Sequence, residues 1–392
     1  MKPKIMINKY RFLSFILVVA AFFCSNQAFA QIEIDTLSQS VIENVYKDVP
    51  NTVKNDSTKR TSFSGYPYVF YSPESQFAGG AGGIFIFYAG QHENLKPSKI
   101  GFGGYYSTNK QYKLSISPVL YAFDNKLYIE APTSFGYFIN KYWGIGNNVP
   151  DYEDASYAMQ TFTTTIKVQI PPFLFSADRT GLIFDFDQTD IVDKMDNEKL
   201  EDETLPGNDG GTIIGFGTDL VWDSRDNIFF PNSGIYQYFK TVIYPGGMSD
   251  FAFALFELDV RSFIAISPDH VFAYNFYVES VVGETPFYKL PALGGQNHMR
   301  GFFNGRYRDN FYGMMQMEYR QYFYRKWGFV AFAGAGNVAN TNVEYDFSSM
   351  KYSYGVGLRF LFNKQQKINL RMDIGFGSDG SRGIYFGIQE AF

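Results

Sequence analysis

The sequence predicts an all-β protein, a transmembrane antiparallel β-barrel of about 16 strands. Three observations lead there: apolar and polar residues alternate through most of the chain, the alternating runs are long, and rings outweigh what a soluble chain usually carries. Of 392 residues 19% are aromatic and 19% are charged, with 42 Phe, 30 Tyr and 37 Gly. A soluble globular protein usually has more charge and fewer aromatics. A helical membrane protein would show repeated apolar runs of about 20 residues.

The only long apolar run is N-terminal. Lys2, Lys4, Lys9 and Arg11 precede the apolar stretch Phe12 to Phe23, and Ala28-Phe29-Ala30 supplies a small-x-small cleavage pattern. Residues 1–30 therefore read as a removable signal peptide, implying export. The sole cysteine, Cys24, lies inside it, and the bulky Phe23 before it argues against a lipoprotein site. The mature chain then has no thiol for a disulfide or a thiolate-bound metal. Residues 31–63 are polar and turn-rich, and read as a short periplasmic segment. The barrel is expected over 64–392, with no second domain.

In a strand, successive side chains point to opposite faces. Over 367–377, Ile368, Leu370, Met372, Ile374 and Phe376 share one face, while Asn369, Arg371, Asp373, Gly375 and Gly377 share the other. The same alternation marks 350–362 and 251–266. A soluble sandwich also alternates, but soluble strands cluster near 5 or 6 residues. These runs reach about 10 to 14, enough to cross a bilayer at a tilt. In chain order, strands are expected at 65–71, 77–88, 99–107, 112–123, 127–141, 156–175, 181–192 and 212–223. They continue at 234–244, 251–266, 271–283, 312–324, 328–338, 351–362, 368–377 and 383–392. The first is the weakest, because Pro67 and Pro73 suit only an edge or a strand end. An even number lets both chain ends face the periplasm.

Several separated motifs carry a family resemblance. The connection between the strands at 271–283 and 312–324 is long and glycine-rich, and holds Arg300, Gly301 and Phe302. Asp223, Arg225, Asp226, Pro231 and Gly234 form an Asp-x-Arg-Asp, Pro-x-x-Gly element between two strands, and Tyr142-Trp143-Gly144-Ile145-Gly146-Asn147 is a second loop motif. Together with the final hairpin, these resemble the BamA/TamA superfamily of outer-membrane barrels, whose members insert or translocate other proteins. The likeness spans nearly the whole barrel. Segment 31–63 is too short for one of the periplasmic POTRA repeats that most members carry. The end of the chain, with Ile384, Phe386 and Ile388 on the face of Phe392 and Glu390 interrupting it, resembles the assembly signal of such barrels.

The resemblance implies that the Arg-Gly-Phe loop folds into the lumen and that Arg300 meets carboxylates on the wall. The matching residue is Glu318, which shares the polar face of its strand with Gln316 and Arg320. The superfamily often presents a second acid on the next strand, but the aligned position is Gly334. That departure leaves Arg300 with Glu318 alone, or with Asp223, Asp259 or Asp373. A bracing role weighs more than direct handling of substrate, because members of differing activity share the loop.

Nothing points to catalysis, so no enzyme activity or cofactor is expected. His92, His270 and His298 are scattered, without metal-ligand spacing. No nucleophile elbow or phosphate-binding glycine loop appears. The acidic stretch 185–209 lacks the ordered spacing of a calcium loop and reads as solvated surface. With a net charge of −5, nucleic acid is not an expected partner. The partners implied are outer-membrane lipids, the general barrel-assembly machinery during insertion, and client or partner outer-membrane proteins. Two functions follow from the resemblance: an accessory of outer-membrane protein assembly or translocation, or a structural or channel-forming barrel of a surface complex.

Overall fold

The computed structural model describes residues 61–72, 75–90, 97–152, 155–171, 177–227, 230–324, 326–363, 368–388 and 390–392. The expected signal peptide and residues 31–60 lie outside the described residues, as does Pro73. Among the described residues the chain is almost entirely strand. The wall begins with β1 (Thr61–Ser72), β2 (Gln76–Phe87), β3 (Ser98–Ser107), β4 (Tyr112–Ala122), β5 (Leu127–Glu130), β6 (Thr133–Lys141), β7 (Ser156–Ile170) and β8 (Arg179–Asp193). It continues with β9 (Gly210–Asp223), β10 (Gly234–Tyr244), β11 (Phe253–Ser267) and β12 (His270–Gly283). Two short strands, β13 (Ala292–Leu293) and β14 (Tyr307–Arg308), pair with each other in the loop that follows. The wall resumes with β15 (Phe311–Tyr324), β16 (Trp327–Ala339), β17 (Lys351–Asn363), β18 (Ile368–Gly377) and β19 (Arg382–Ile388).

Each wall strand pairs antiparallel with the next. β5 and β6 both pair with β4 and with β7, so they are one stave broken at Ala131-Pro132, where the proline has no N–H to give the ladder. Counted so, the wall has sixteen staves, and β19 comes back alongside β1.

The burial pattern is that of a soluble protein turned inside out. Leu114, Leu182, Phe216, Ile243, Tyr354, Val356 and Leu358 are exposed, while Asp259, Arg261, Glu318, Arg320, Arg359, Arg371 and Asp373 are buried. Neighbouring antiparallel staves satisfy one another's backbone, and lipid then accepts the apolar outer face. The segments 142–152, 194–209, 284–310 and 340–350 gather at one end of the barrel. There Phe287 packs tilted against Tyr142 and edge-on against Tyr157, at ring centroid distances of 4.7 and 5.3 Å, within an apolar cluster that includes Leu200, Ile213 and Leu290.

Four expectations are corrected. β1 starts at Thr61, so the barrel takes in three residues assigned to the N-terminal segment. β7 ends at Ile170, and residues 172–175 of the expected strand lie outside the described residues. The stave expected at 127–141 is broken. The last strand stops at Ile388, and Phe392 does not share the outward face of Phe386: it is buried beside Phe263, Ala273 and Ala391. Glu390 explains the turn, since its carboxylate accepts from Nε of Arg359 at 2.7 Å and Nδ2 of Asn369 at 2.8 Å. A straight strand would have carried that charge outward.

Candidate functional site

The loop between β12 and β15 is shaped by glycines. Gly294, Gly295, Gly301 and Gly305 all have positive φ, as does Met299. Gly301 is also a point of close approach: a Cβ there would meet the main chain of Phe376 in β18 at 2.6 Å. From the other side, a Cβ on Gly375 would meet the carbonyl carbon of Arg300 at 2.7 Å. Two glycines facing each other let loop backbone lie directly on wall backbone. Tyr385 of β19 reinforces the contact, accepting from the Gly301 amide at 3.0 Å and donating to the Phe302 carbonyl at 3.3 Å. Phe302 is fully buried among Leu293, Met299, Tyr307, Tyr312 and Met314.

This seating carries Arg300 to the inner wall. One terminal nitrogen hydrogen-bonds Oε1 of Glu318 on β15, and the other reaches Oδ2 of Asp373 on β18 at 2.6 Å. Its guanidinium carbon also lies 3.7 Å from the centroid of the Phe332 ring on β16. Burial opposes its charge, but Glu318 and Asp373 outweigh burial and hold its pKa above the ordinary arginine value. The carboxylates are shared in turn: Glu318 accepts from Nε of Arg320 at 2.7 Å, and Asp373 from Nη1 of Arg359 at 2.5 Å. Gln316 bridges loop and wall by donating to the Asn297 carbonyl at 2.7 Å and to Asn275 at 3.1 Å. Asn275 donates to Asp259 at 2.7 Å, so the network runs from β11 to β18.

Of the candidate partners, Glu318 and Asp373 meet Arg300, while Asp223 does not. Asp223 takes Nε of Arg225 at 2.9 Å and Nη2 at 3.2 Å. The rest of that turn closes on itself, with Asp226 accepting from the amides of Asn232 and Ser233 at 2.8 and 3.1 Å. Gly234 has positive φ beside the Ser224 carbonyl. Pro231 is buried in the same turn. Of the proposed C-terminal signal, Phe386 faces outward and the Ile388 backbone pairs with Leu370.

Sequence reasoning missed how the second acid reaches Arg300 from two strands beyond β16. Phe332 stands opposite Glu318 and gives a ring face rather than a charge. Gly355 and Gly357 on β17 then clear the way. A Cβ at Gly355 would strike the Phe332 ring, and one at Gly357 would strike Oδ1 of Asp373. The alternating glycines 355 and 357 on the inward face were the available signal. Among the described residues, no three His, Cys, Asp or Glu side chains gather as a metal site. What the arrangement can do chemically is fasten a loop inside the wall.

A model of the Omp85 superfamily domain matches residues 96–392. The structure of BamA from Haemophilus ducreyi lacking POTRA domains 1–3 is similar, with a TM-score of 0.59 and 14% identity over 84% of this chain and 70% of that one. CdiB from Acinetobacter baumannii gives a TM-score of 0.53 and 12% identity, over 84% of this chain and 60% of that one. At such identities the likeness shows the fold. No curated protein matches the chain.

Proposed function

Because the chain belongs to the Omp85 superfamily, we propose that this outer-membrane barrel is an accessory of outer-membrane protein assembly or translocation that works at the junction of β1 and β19. One observation carries the reading. Every other neighbouring pair of staves is joined by a hydrogen-bonded register, but among the described residues none joins β1 to β19. The two strands touch, with the rings of Tyr71 and Phe386 at 6.3 Å. An unladdered edge offers main-chain donors and acceptors that an incoming strand can pair with. Pro67 removes one donor from β1 and restricts where such pairing runs. Its partners on this reading are membrane lipid and client barrels.

A second reading, a channel-forming or structural barrel, draws on a different feature. A cavity of about 390 Å³ lies against the inner face of β4 to β11, lined by Ser115, Thr161, Thr163, Lys167, Lys240 and Glu257 among others.

The deciding experiment depletes the native protein and supplies a variant with Tyr71→Cys and Phe386→Cys. The mature chain as read from sequence has no other thiol, so oxidation crosslinks only the junction. Depletion should lower the amounts of other outer-membrane barrels, and the oxidised variant should fail to restore them while the reduced one succeeds. An unchanged outer-membrane proteome on depletion sinks the assembly reading. Ion conductance by the purified barrel in a planar bilayer would favour the channel.

A further inference from the structure

The cavity beside β4 to β11 is walled differently from the brace. On its β4–β7 side the inward positions carry hydroxyls, where the wall around Arg300 carries arginines and acids. Ser115 of β4 stands opposite Ser134 of β6, and Ser134 opposite Thr163 of β7, so one row of hydroxyls crosses three staves. Ser117, Thr161 and Thr165 lie two residues along from that row and therefore on the same face. Ser115, Ser134 and Thr163 are half-buried, as side chains that front a cavity are.

The charged groups lining the same cavity are already engaged. Asp185 accepts from Oγ1 of Thr165 at 2.6 Å and from the Tyr244 hydroxyl at 2.8 Å. Glu257 holds Nζ of Lys240 at 2.5 Å. Lys167 faces Glu130 across the β5–β7 ladder, with its Nζ 5.7 Å from the Tyr238 ring centroid. Lys113 is partnered as well. The hydroxyls differ, because each can donate one hydrogen bond and accept two. The contact between Ser134 and Thr163 at 2.9 Å uses one of their two protons, so the pair can still both donate and accept.

We propose that this cavity binds a neutral polyhydroxylated ligand, a mono- or disaccharide, inside the barrel. A sugar presents groups that both donate and accept, as the wall does, and it brings no charge that needs a counter-ion. Its C–H faces suit the rings of Phe138 and Tyr238, which also line the cavity. An anion would call for cationic donors to spare, and a cation for free carboxylates. The volume of about 390 Å³ falls within the range of small-molecule sites, about 300–1,000 Å³. The inference uses the cavity on which the channel reading draws but needs no path through the barrel, so sugar binding and ion conductance fail independently.

Equilibrium dialysis of the intact barrel, in a detergent without a sugar headgroup, against labelled maltose, lactose and mannobiose should find one saturable site for at least one of them. Ser134→Ala combined with Thr163→Val removes the hydroxyl pair and should weaken that binding roughly ten-fold or more. Retained heat-modifiable mobility shows that the variant folds. Absence of saturable binding of all three sugars by the native barrel overturns the proposal, as does undiminished binding by the folded double variant. If the double variant does not fold, unchanged binding by Ser115→Ala, in the same row, overturns it instead. Displacement of the sugar by equimolar inorganic phosphate assigns the site to an anion and overturns it too.

Discussion

The two sides of the barrel wall are built from different material. From β11 to β18 the interior is crowded, with Asp259, Asn275, Gln316, Glu318, Asp373 and their arginines bonded continuously to Asn297 and Arg300 of the loop. From β2 to β3 the wall is thin, carrying Gly79, Gly80, Gly82, Gly83, Gly101, Gly103 and Gly104. Gly357 and Gly79 stand at opposite extremes. At Gly357 its missing side chain makes room for Asp373, whereas nothing lies within 4 Å of a Cβ at Gly79. The contrast holds position by position, since Gly80 and Gly104 in the same strands are crowded by Tyr105 and Leu114. The brace and the β1–β19 junction, which shows no ladder among the described residues, thus meet at β19, whose Tyr385 holds the loop while its neighbour Phe386 meets β1.

The largest test of that contrast removes the brace. Arg300→Ala leaves Glu318 and Asp373 each short of a buried cation, and a broken buried pair costs about 3–5 kcal/mol. The shift from folded to unfolded mobility on heating in detergent gels should move to lower temperature. Arg300→Ala and Glu318→Ala should be strongly non-additive when combined, and so should Arg300→Ala and Asp373→Asn. Additivity in both cycles would mean that Arg300 does not brace the wall.

A smaller effect separates the two kinds of glycine. Gly357→Ala forces Asp373 aside and should cost about 1–3 kcal/mol, as overpacking does. Gly79→Ala meets open space, and should be neutral or stabilising by up to about 1 kcal/mol through the unfolded chain. Denaturant midpoints of the two variants check this, and equal losses would erase the distinction.

The smallest effect lies at the short-turn end. Asp178, just before β8, accepts from the Asp223 amide at 2.9 Å. Burial pushes its carboxyl up to about 6, with Arg179 pulling down and Asp223 pushing up. A pKa raised above the unfolded value of about 3.9 means that the folded state holds the proton more tightly. The stability this lends is complete below about pH 4 and is lost as pH rises through about 6. The native protein should therefore lose slightly more stability than Asp178→Asn between pH 4 and 6, an effect kept small by solvent screening. Parallel pH profiles would place the titration elsewhere.

Most of the wall was legible because alternation is local. The runs at 234–244 and 368–377 coincide with β10 and β18, and the inward face of Arg371 and Asp373 follows from parity alone. The errors came where alternation continues but the strand does not. Pro132 interrupts a stave without disturbing the pattern. The pattern also runs on to Phe392, yet the chain turns inward after Ile388, where Glu390 finds Arg359 and Asn369. At the loop, the sequence supplied Arg300 and several acids without ranking them.

By itself the sequence determined the class of fold, the outward and inward faces, and the loop whose glycines permit a tight descent. These depend on neighbours one, two or a few residues apart, a scale at which side-chain chemistry is readable. Only the tertiary structure decided that Asp373 joins Glu318 at Arg300 while Asp223 stays with Arg225, that Phe392 is buried, and that no ladder joins β1 to β19 among the described residues. Those outcomes depend on barrel register and on which glycines open space across strands far apart in sequence. A shift of one residue in a stave's register turns every side chain to the other face, so the partners of a buried charge are settled only when the whole wall has closed.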